Sequence, residues 1–303
     1  MTFKPIKYLE RKTGEEKQEY VPGEKYLKFL YYSPLGKLTL ESIVKRKCLT
    51  SYYGRQMDSY SSCEKIKEFI SNNNINMNEA LNSIEEYQSF NEFFIRKLKN
   101  DSRPIAGDDT TLVSPADGKI FAFENLSEIK DFFVKGENFT LSEFLKDDNL
   151  AKKYENGSMI IIRLAPVDYH RLHFPTSGII GASKQIKGYY YSVSTHAIRK
   201  NFRIFCENKR EYSILKSDNF GNILISEIAA TMVGGITQLY IPNTKIEKGE
   251  EKGYFSFGGS TTILLFEKDS IEIDKDLIEN SRKNLETKVY MGEKIGAIKK
   301  KTF

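Results

Sequence analysis

Tryptophan is absent from this 303-residue chain, and histidine and cysteine occur only three times each. The cysteines are widely separated, odd in number and without a Cys-x-x-Cys pair: Cys48, Cys63 and Cys206. This usage excludes a disulfide-stabilised secreted scaffold, and it predicts free thiols in a reducing compartment. We therefore expect the protein to act in the cytoplasm.

Long apolar runs are also absent. No stretch of about 18 consecutive apolar residues exists, and the start of the chain lacks the apolar core of a signal peptide. The net charge is only +5, from 46 Lys and Arg against 41 Asp and Glu. That charge supports a weak preference for anionic surfaces, and no nucleic-acid-binding module is recognisable. If the protein meets a membrane, we expect it to lie on the surface.

Helical patterns dominate residues 1–103. Ser33 followed by Pro34 predicts a helix start, and the apolar residues that follow give an amphipathic segment ending in Lys45-Arg46-Lys47. This segment has two open interpretations, a core-packing helix or an interfacial helix whose cations meet anionic lipid. A helix stopped by Asn72-Asn73-Asn74 and another beginning near Met77 are also predicted.

Ser89-Phe90-Asn91-Glu92 has the pattern of a capping box. In this motif Ser89 accepts a hydrogen bond from the N3 amide while Glu92 reaches back to the start of the helix. Phe93, Phe94 and Leu98 follow at helical spacing. The aromatic stripe is typical of core packing, with substrate contact as the alternative.

Beyond Arg103-Pro104-Ile105, short apolar runs separated by Gly, Asp and Asn turns replace the helical periods. The runs predict a buried strand at 159–164, a hairpin at 212–228 and a small-residue strand at 229–236. Two Gly-Glu turns, at 248–253 and 291–296, look like those of carrier-type barrel-sandwich domains. The sequence thus predicts an α+β fold, in which a helical region (1–103) precedes a mostly antiparallel β domain (104–303) with barrel-sandwich-like features.

A serine stands behind two glycines at the start of an apolar run, in Phe257-Gly258-Gly259-Ser260-Thr261. Glycines permit a strained turn, and the apolar residues behind them predict a buried strand. Taken alone, the motif is more typical of a structural hairpin or bulge. Chemistry would require partners for the serine.

Candidate partners lie on two other segments. His170 and His173 occur in Asp168-Tyr169-His170-Arg171-Leu172-His173, and Asp117 occurs in Ser114-Pro115-Ala116-Asp117-Gly118. A serine, a histidine and an aspartate can form a base-activated nucleophile. Pro166 permits a helical turn, which would put both histidines on one side. Taken alone, Asp117 is more typical of a turn aspartate, because Asp-Gly is a strong turn signal.

The segments together resemble the phosphatidylserine decarboxylase family, the pyruvoyl-dependent enzymes that make phosphatidylethanolamine. The matching pieces span roughly residues 85 to 270 in the family's order: Phe90-Asn91-Glu92-Phe93-Phe94-Ile95-Arg96-Lys97-Leu98, Arg103-Pro104-Ile105, Ser114-Pro115-Ala116-Asp117-Gly118, Asp168-Tyr169-His170-Arg171-Leu172-His173 and Phe257-Gly258-Gly259-Ser260-Thr261. The common family form has Leu where this chain has Gly258. The Gly-Ser pair is intact.

The resemblance implies that residues 104–303 form a β catalytic domain that cleaves itself between Gly259 and Ser260. Ser260 would attack the carbonyl of Gly259, and β-elimination would leave a pyruvoyl group, the cofactor, in place of Ser260. His173, oriented by Asp117, is the implied base. The two fragments would remain together as a heterodimer.

The resemblance also implies the reaction. The pyruvoyl ketone would form a Schiff base with the amine of phosphatidylserine, release CO₂ and yield phosphatidylethanolamine, with His170 as the candidate proton donor. The implied location is peripheral, at the cytoplasmic face of the cell membrane. No metal is expected, because the His-x-x-His pair has no clear third ligand nearby.

Two other classes stay open on the residues alone. The β-rich half could be a carrier or binding module in which the Gly-Ser turn is structural. The same trio could also serve a serine hydrolase, although the Gly-x-Ser-x-Gly elbow is missing.

Overall fold

The computed structural model describes residues 6–19, 21, 23–126, 139–231 and 235–299, apart from the side chains of residues 47–49 and 199. Within these ranges, helices and mostly antiparallel sheets form the predicted α+β fold. None of the helices described there has the length and apolar character needed to cross a bilayer.

Short helices fill most of the N-terminal region. They are α1 (Glu24–Tyr32), α2 (Pro34–Thr39), α3 (Lys47–Met57), α4 (Glu64–Asn73) and α5 (Phe90–Phe94). A π-helical turn (Leu40–Val44) and 3₁₀ turns (Tyr60–Cys63, Met77–Glu79 and Ile84–Glu86) lie between them. Ser33 starts α2 by accepting a hydrogen bond from the Gly36 amide at 2.9 Å, as Ser-Pro predicts. The helix predicted near Met77 is only a 3₁₀ turn.

The cap of α5 follows the prediction in part. The Ser89 hydroxyl accepts a hydrogen bond from the Glu92 amide at 3.1 Å. The Glu92 carboxylate, however, accepts from the Gln88 amide at 2.6 Å, one residue before the cap. The aromatic residues of α5 are buried in a small core shared with Met57, Ile66 and Tyr87, which confirms the packing interpretation.

The other helices are α6 (Leu141–Leu145), α7 (Asp148–Tyr154), α8 (Thr195–Lys200), α9 (Ile204–Glu207) and α10 (Lys275–Arg282). The strands are β1 (Lys7–Glu10), β2 (Glu15–Gln18), β3 (Thr111–Val113), β4 (Gly118–Phe123), β5 (Ser158–Leu164), β6 (Arg171–His173), β7 (Gly178–Ile180), β8 (Lys184–Ile186), β9 (Arg210–Ser217), β10 (Gly221–Ile228), β11 (Ile236–Gln238), β12 (Thr244–Ile246), β13 (Glu251–Phe255), β14 (Ser260–Phe266), β15 (Ile271–Ile273), β16 (Glu286–Val289) and β17 (Lys294–Ile298).

A large sheet organises the β region. Its strand order is β12-β7-β9-β10-β14-β5-β4-β16-β1-β2, and β8 also pairs with β9. The pairs are antiparallel except for β1 with β16. Strands β5 and β14 are buried at every residue, as their continuous apolar sequences predict. The strand that begins with Ser260 therefore lies at the centre of the sheet.

Two small sheets have matching forms, β11-β13-β6 and β15-β17-β3. Each middle strand follows one of the predicted Gly-Glu turns, and each turn contains a glycine in the left-handed region, Gly249 (φ +83°) or Gly292 (φ +85°). Each middle strand also shifts register against its neighbour, at Glu251/Gly253 and at Lys294/Gly296. This repetition is consistent with the barrel-sandwich-like features, although no closed barrel forms in the described part of the chain.

The helical prediction for residues 1–103 missed the hairpin of β1 and β2. Both strands are short, and β2 is exposed throughout, so no alternating apolar pattern marks it. The pairing of β1 with β16 joins the start of the described chain to the large sheet. The domain boundary near residue 104 stays a prediction. The strand predicted at 229–236 is not formed at residues 229–231, and residues 232–234 lie outside the described ranges.

Candidate active site at the Gly-Ser turn

Ser260 is the first residue of β14. It pairs with Leu164 of β5, and its neighbour Thr261 pairs with Arg163 of β5 and with Ile228 of β10. Ser260 is fully buried, and its Oγ has no hydrogen-bond partner in the structure as described. A buried hydroxyl normally has a partner, so this unsatisfied group is a candidate functional atom.

The turn before Ser260 contains one residue with a backbone conformation that favours glycine. Gly258 has φ +137°, a backbone conformation that side chains rarely adopt. Gly259 has room for a Cβ, since the nearest atoms would lie 3.8 Å and 3.9 Å away, at Val193 and Leu164. A side chain would therefore be strained in this conformation at position 258, where the common family form has Leu, but not at position 259.

Phe257 anchors the turn to the helical region. Its amide donates to Asn91 Oδ1 at 2.9 Å. Its ring packs against Phe90 and Phe94, with centroids 5.1 Å and 5.0 Å apart. The segment 90–98 is thus a wall of the site.

His170 lies against this wall and is fully buried. Its ring centroid is 4.1 Å from that of Phe94. Nδ1 donates to the Asp168 carbonyl at 2.9 Å, which leaves Nε2 as the lone-pair nitrogen, without a hydrogen-bond partner among the described residues. Burial lowers the pKa of His170 to about 4, and the Gly258 backbone beside the ring counters part of that effect. The ring is therefore neutral at pH 7.

His173 has different surroundings. Nδ1 donates to the Gly249 carbonyl at 2.9 Å, and Nε2 accepts from the Tyr169 hydroxyl at 3.3 Å. Burial lowers the pKa of His173, partly offset by its hydrogen bond to Gly249. Like His170, it presents Nε2 as its basic nitrogen.

The helical turn predicted for this segment is wrong. Residues 171–173 form β6, which pairs with β13. The Asp168 carboxylate fixes the preceding bend, because it accepts from the Ala165 amide at 2.8 Å and from Lys288 Nζ at 2.5 Å. Extended backbone separates the two rings, so they face different neighbours.

Asp117 is buried next to the histidine segment, since the His173 amide donates to the Pro115 carbonyl at 2.8 Å. Its carboxylate is bonded to Arg103 at 2.7 to 3.2 Å and to the Met291 amide at 2.8 Å. None of its hydrogen bonds among described residues reaches His173. Arg103 has its pKa raised by this pairing, against the effect of its burial.

Arg103 lies in one of the matching motifs and was not a predicted site residue, although an arginine in a matched motif was a usable signal. No signal pointed to Lys288, which lies 120 residues from its partner Asp168. The third histidine, His196, bonds Glu24 at 2.9 Å and was not a candidate.

An apolar cavity of about 620 Å³ adjoins the Gly-Ser turn. Phe257, Gly258 and Gly259 form part of its wall, and α1 forms another part with Tyr26, Leu27, Phe29 and Leu30. Glu19 and Arg163 are charged residues in the lining. The cavity has the size and character of a site for an apolar or amphipathic ligand.

A buried ion-pair network borders the cavity. Arg163 is bonded to Glu19 and to Glu286, and Lys119 is 3.2 Å from Glu19. Burial alone would raise the pKa of Glu19, but the two cations lower it to about 2. These charges neutralise one another, and the residues that the structure describes contain no cluster of three metal-ligating side chains.

Comparison with known sequences agrees with the motifs. The profile of the family described as phosphatidylserine decarboxylase matches residues 90–297. The chain is 59% identical, over 98% of its length and 99% of the relative's, to a phosphatidylserine decarboxylase proenzyme of Fusobacterium nucleatum subsp. nucleatum. It is 51% identical to the proenzyme of that name from Clostridium tetani, over 96% of the chain and 98% of the relative. The chain belongs to the phosphatidylserine decarboxylase family.

Proposed function

We propose that this chain is a phosphatidylserine decarboxylase proenzyme that cleaves itself between Gly259 and Ser260. The observation that carries the proposal is the buried, unpartnered Ser260 hydroxyl directly behind the glycine turn, in a chain of this family. The mature enzyme converts phosphatidylserine into phosphatidylethanolamine and CO₂.

Self-cleavage begins when Ser260 Oγ attacks the carbonyl carbon of Gly259 and passes its proton to His173 Nε2. The new C–O bond replaces the peptide C–N bond, giving an ester and a free amine. Loss of the α proton of residue 260 then breaks the Cβ–Oγ bond and leaves a carboxylate on Gly259. The resulting dehydroalanine takes up water and releases ammonia, which leaves a pyruvoyl group.

His173 and Asp117 take part in this step as base and orienting residue. The Gly249 carbonyl holds the tautomer of His173 in which Nε2 can accept a proton. Nε2 must exchange its 3.3 Å bond to Tyr169 for one to Ser260. To orient the ring, Asp117 must replace Gly249 as the acceptor from Nδ1, which keeps the same tautomer. His170 is the second candidate base, favoured by its unpartnered Nε2 beside Gly258.

In decarboxylation the pyruvoyl group supplies an electron sink for the electrons released with CO₂. His170 is the proposed proton donor to the substrate's α carbon. Because its ring is neutral at pH 7, Nε2 must first take up a proton during the cycle. The surrounding aromatic rings keep bulk water from the reacting atoms.

The two fragments are proposed to remain a heterodimer. Residues 260–303 contribute β14 between β10 and β5, and β16 between β4 and β1. Buried ion pairs also join the fragments, Arg163 with Glu286 and Asp168 with Lys288. Separation would expose the apolar strand β14, which is buried at every residue, and this loss of apolar burial is strongly unfavourable.

The protein is proposed to act as a peripheral protein on the cytoplasmic face of the cell membrane. Leu35, Leu38 and Ile43 are exposed beside the cavity-lining helix α1, while Leu40 of the same segment is buried. Both interpretations of this segment therefore have support. Lys45 cannot meet lipid as first expected, because it is buried and bonded to Glu41 and to Tyr191.

Ser260→Ala should yield one uncleaved chain that releases no CO₂, because the nucleophile is lost. Denaturing electrophoresis and mass spectrometry would check this, with the wild type giving a smaller fragment that begins with a blocked residue 260. Ser256→Ala, four residues earlier, should still split. An intact wild-type chain would favour a carrier or hydrolase instead.

Gly258→Ala should slow self-cleavage about tenfold more than Gly259→Ala, because only the first change puts a side chain on a residue with positive φ. Time courses of fragment appearance after synthesis of each variant would measure the difference. Equal rates for the two variants would show that cleavage does not require the positive φ of Gly258.

His173→Ala should block self-cleavage, whereas His170→Ala should split normally and lose about 100-fold or more of its CO₂ release. The readouts are electrophoresis and capture of labelled CO₂. His196→Ala is the matched control and should retain both activities. The roles proposed here are wrong if His170→Ala stays whole while His173→Ala splits.

The double change Leu35→Asp, Leu38→Asp should weaken binding to vesicles of phosphatidylcholine and phosphatidylglycerol about tenfold, because it places two charges where apolar side chains would enter the interface. Co-sedimentation would measure it. Ile241→Asp, at an exposed apolar position between β11 and β12, is the control. Unchanged binding of the double variant would remove this surface from the membrane contact.

A further inference from the structure

Arg96 is a largely buried cation whose side chain has no hydrogen-bond acceptor among the described residues. It follows α5, and its backbone amide donates to the Phe93 carbonyl at 3.1 Å. Only 7% of the residue is exposed, and its guanidinium lies over the Phe93 ring, 5.1 Å from the centroid. No side-chain hydrogen bond or ion pair to Arg96 occurs among the residues that the structure describes.

The neighbouring cations are all neutralised. Arg103 pairs with Asp117 and Glu79, Arg171 with Glu251, and Lys288 with Asp168. Arg96 lies within electrostatic range of Asp117, but that carboxylate is already bonded to Arg103. Arg96 is therefore the one cation of this group that has no direct carboxylate partner among the described residues.

An unpaired buried charge is costly, so its presence needs a reason. Burial lowers the pKa of Arg96, yet a guanidinium still remains protonated at neutral pH. Its planar fork matches the oxygens of a phosphate or a carboxylate, which would restore the missing hydrogen bonds. The simplest reason is an anionic ligand.

Arg96 is also close to the reacting groups. Phe94, two residues earlier, contacts the rings of both His170 and Phe257. Arg171 Nε donates to the Ile95 carbonyl at 2.6 Å, which fixes the segment before Arg96 on the histidine segment. Burial is the main reason for the lowered pKa of His170, and the charge of Arg96 lowers it further.

We propose that Arg96 binds the phosphodiester of the phosphatidylserine head group. This inference rests on the proposed function and adds a binding residue to it. The oxygens of this phosphodiester can accept the hydrogen bonds that the Arg96 guanidinium lacks among the described residues. The carboxylate is the poorer candidate, because an arginine that held it would stabilise the ground state and oppose its loss as CO₂.

Arg96→Gln should raise KM for phosphatidylserine in detergent micelles about 10- to 100-fold and change kcat less than about threefold, because a uniform binding contact is lost. Arg96→Lys keeps the charge without the fork and should give an intermediate KM. Lys97→Gln removes the same charge from the next, exposed residue and should match the wild type. All three variants should still cleave themselves.

Head-group fragments identify which anion is bound. Glycerophosphoethanolamine has the phosphodiester without the carboxylate, and free serine has the carboxylate without the phosphodiester. In Arg96→Gln the inhibition constant of glycerophosphoethanolamine should rise about tenfold or more, whereas the inhibition constant of serine should change by less than about twofold. Glycerophosphoethanolamine should also raise the unfolding temperature of the wild type and of Lys97→Gln, but not that of Arg96→Gln.

The opposite pattern, with only serine inhibition lost, would assign Arg96 to the carboxylate and overturn the proposal. Unchanged KM and unchanged inhibition would show that Arg96 does not contact substrate. If Arg96→Gln does not fold, the same measurements on Arg96→Lys decide. A wild-type chain that neither splits nor releases CO₂ would instead refute the proposed function.

Discussion

The backbone ladder of β14 is the constraint on which the site depends. This strand is hydrogen-bonded to β10 on one side and to β5 on the other, and it is buried along its whole length. Its first residue is Ser260, so the hydroxyl is held at the start of a rigid strand. The conformational freedom needed for attack is left to the glycines just before it.

Buried charges then define what surrounds that strand. Arg163, on β5, is held between Glu19 and Glu286, while Asp117 and Asp168 are held by Arg103 and Lys288. These pairs fix loops that would otherwise be free, including the bend that presents His170. Because the carboxylates are used in this way, His170 has a carbonyl rather than a carboxylate as its partner, and burial keeps its ring neutral.

Much of the fold could be predicted from local patterns. The continuous apolar character of 159–164, the Ser-Pro helix start and the hairpin at 212–228 each depend on near neighbours, and each is present. The β1–β2 hairpin was missed because its strands are short and exposed and pair with residues near the far end of the chain. The extended form of 171–173 was missed for a related reason, since it depends on pairing with β13 and on a bond from Asp168 to distant Lys288.

The site, like the fold, could be predicted from the sequence only in part. Motif resemblance made Ser260, His170, His173 and Asp117 candidates. In the structure His170 lies beside the Gly258 backbone, whereas the side-chain hydrogen bonds of His173 and Asp117 go to other residues. The resemblance could not show that Asp117 is engaged by Arg103, because that pairing is decided by the fold and not by spacing. The lack of a direct partner for the Arg96 side chain among the described residues was equally hidden, because such partners are visible only in three dimensions.

The position of the scissile bond has a consequence for the life of the molecule. Before cleavage, β14 pairs with β10 and β5 within one chain, because the peptide bond keeps it covalently attached to the residues before it. After cleavage, refolding from the denatured state would require two separate polypeptides to meet, so recovery would depend on concentration. Before maturation the single chain could therefore refold on its own. The mature two-chain protein could not readily do so, and it would persist because it unfolds slowly.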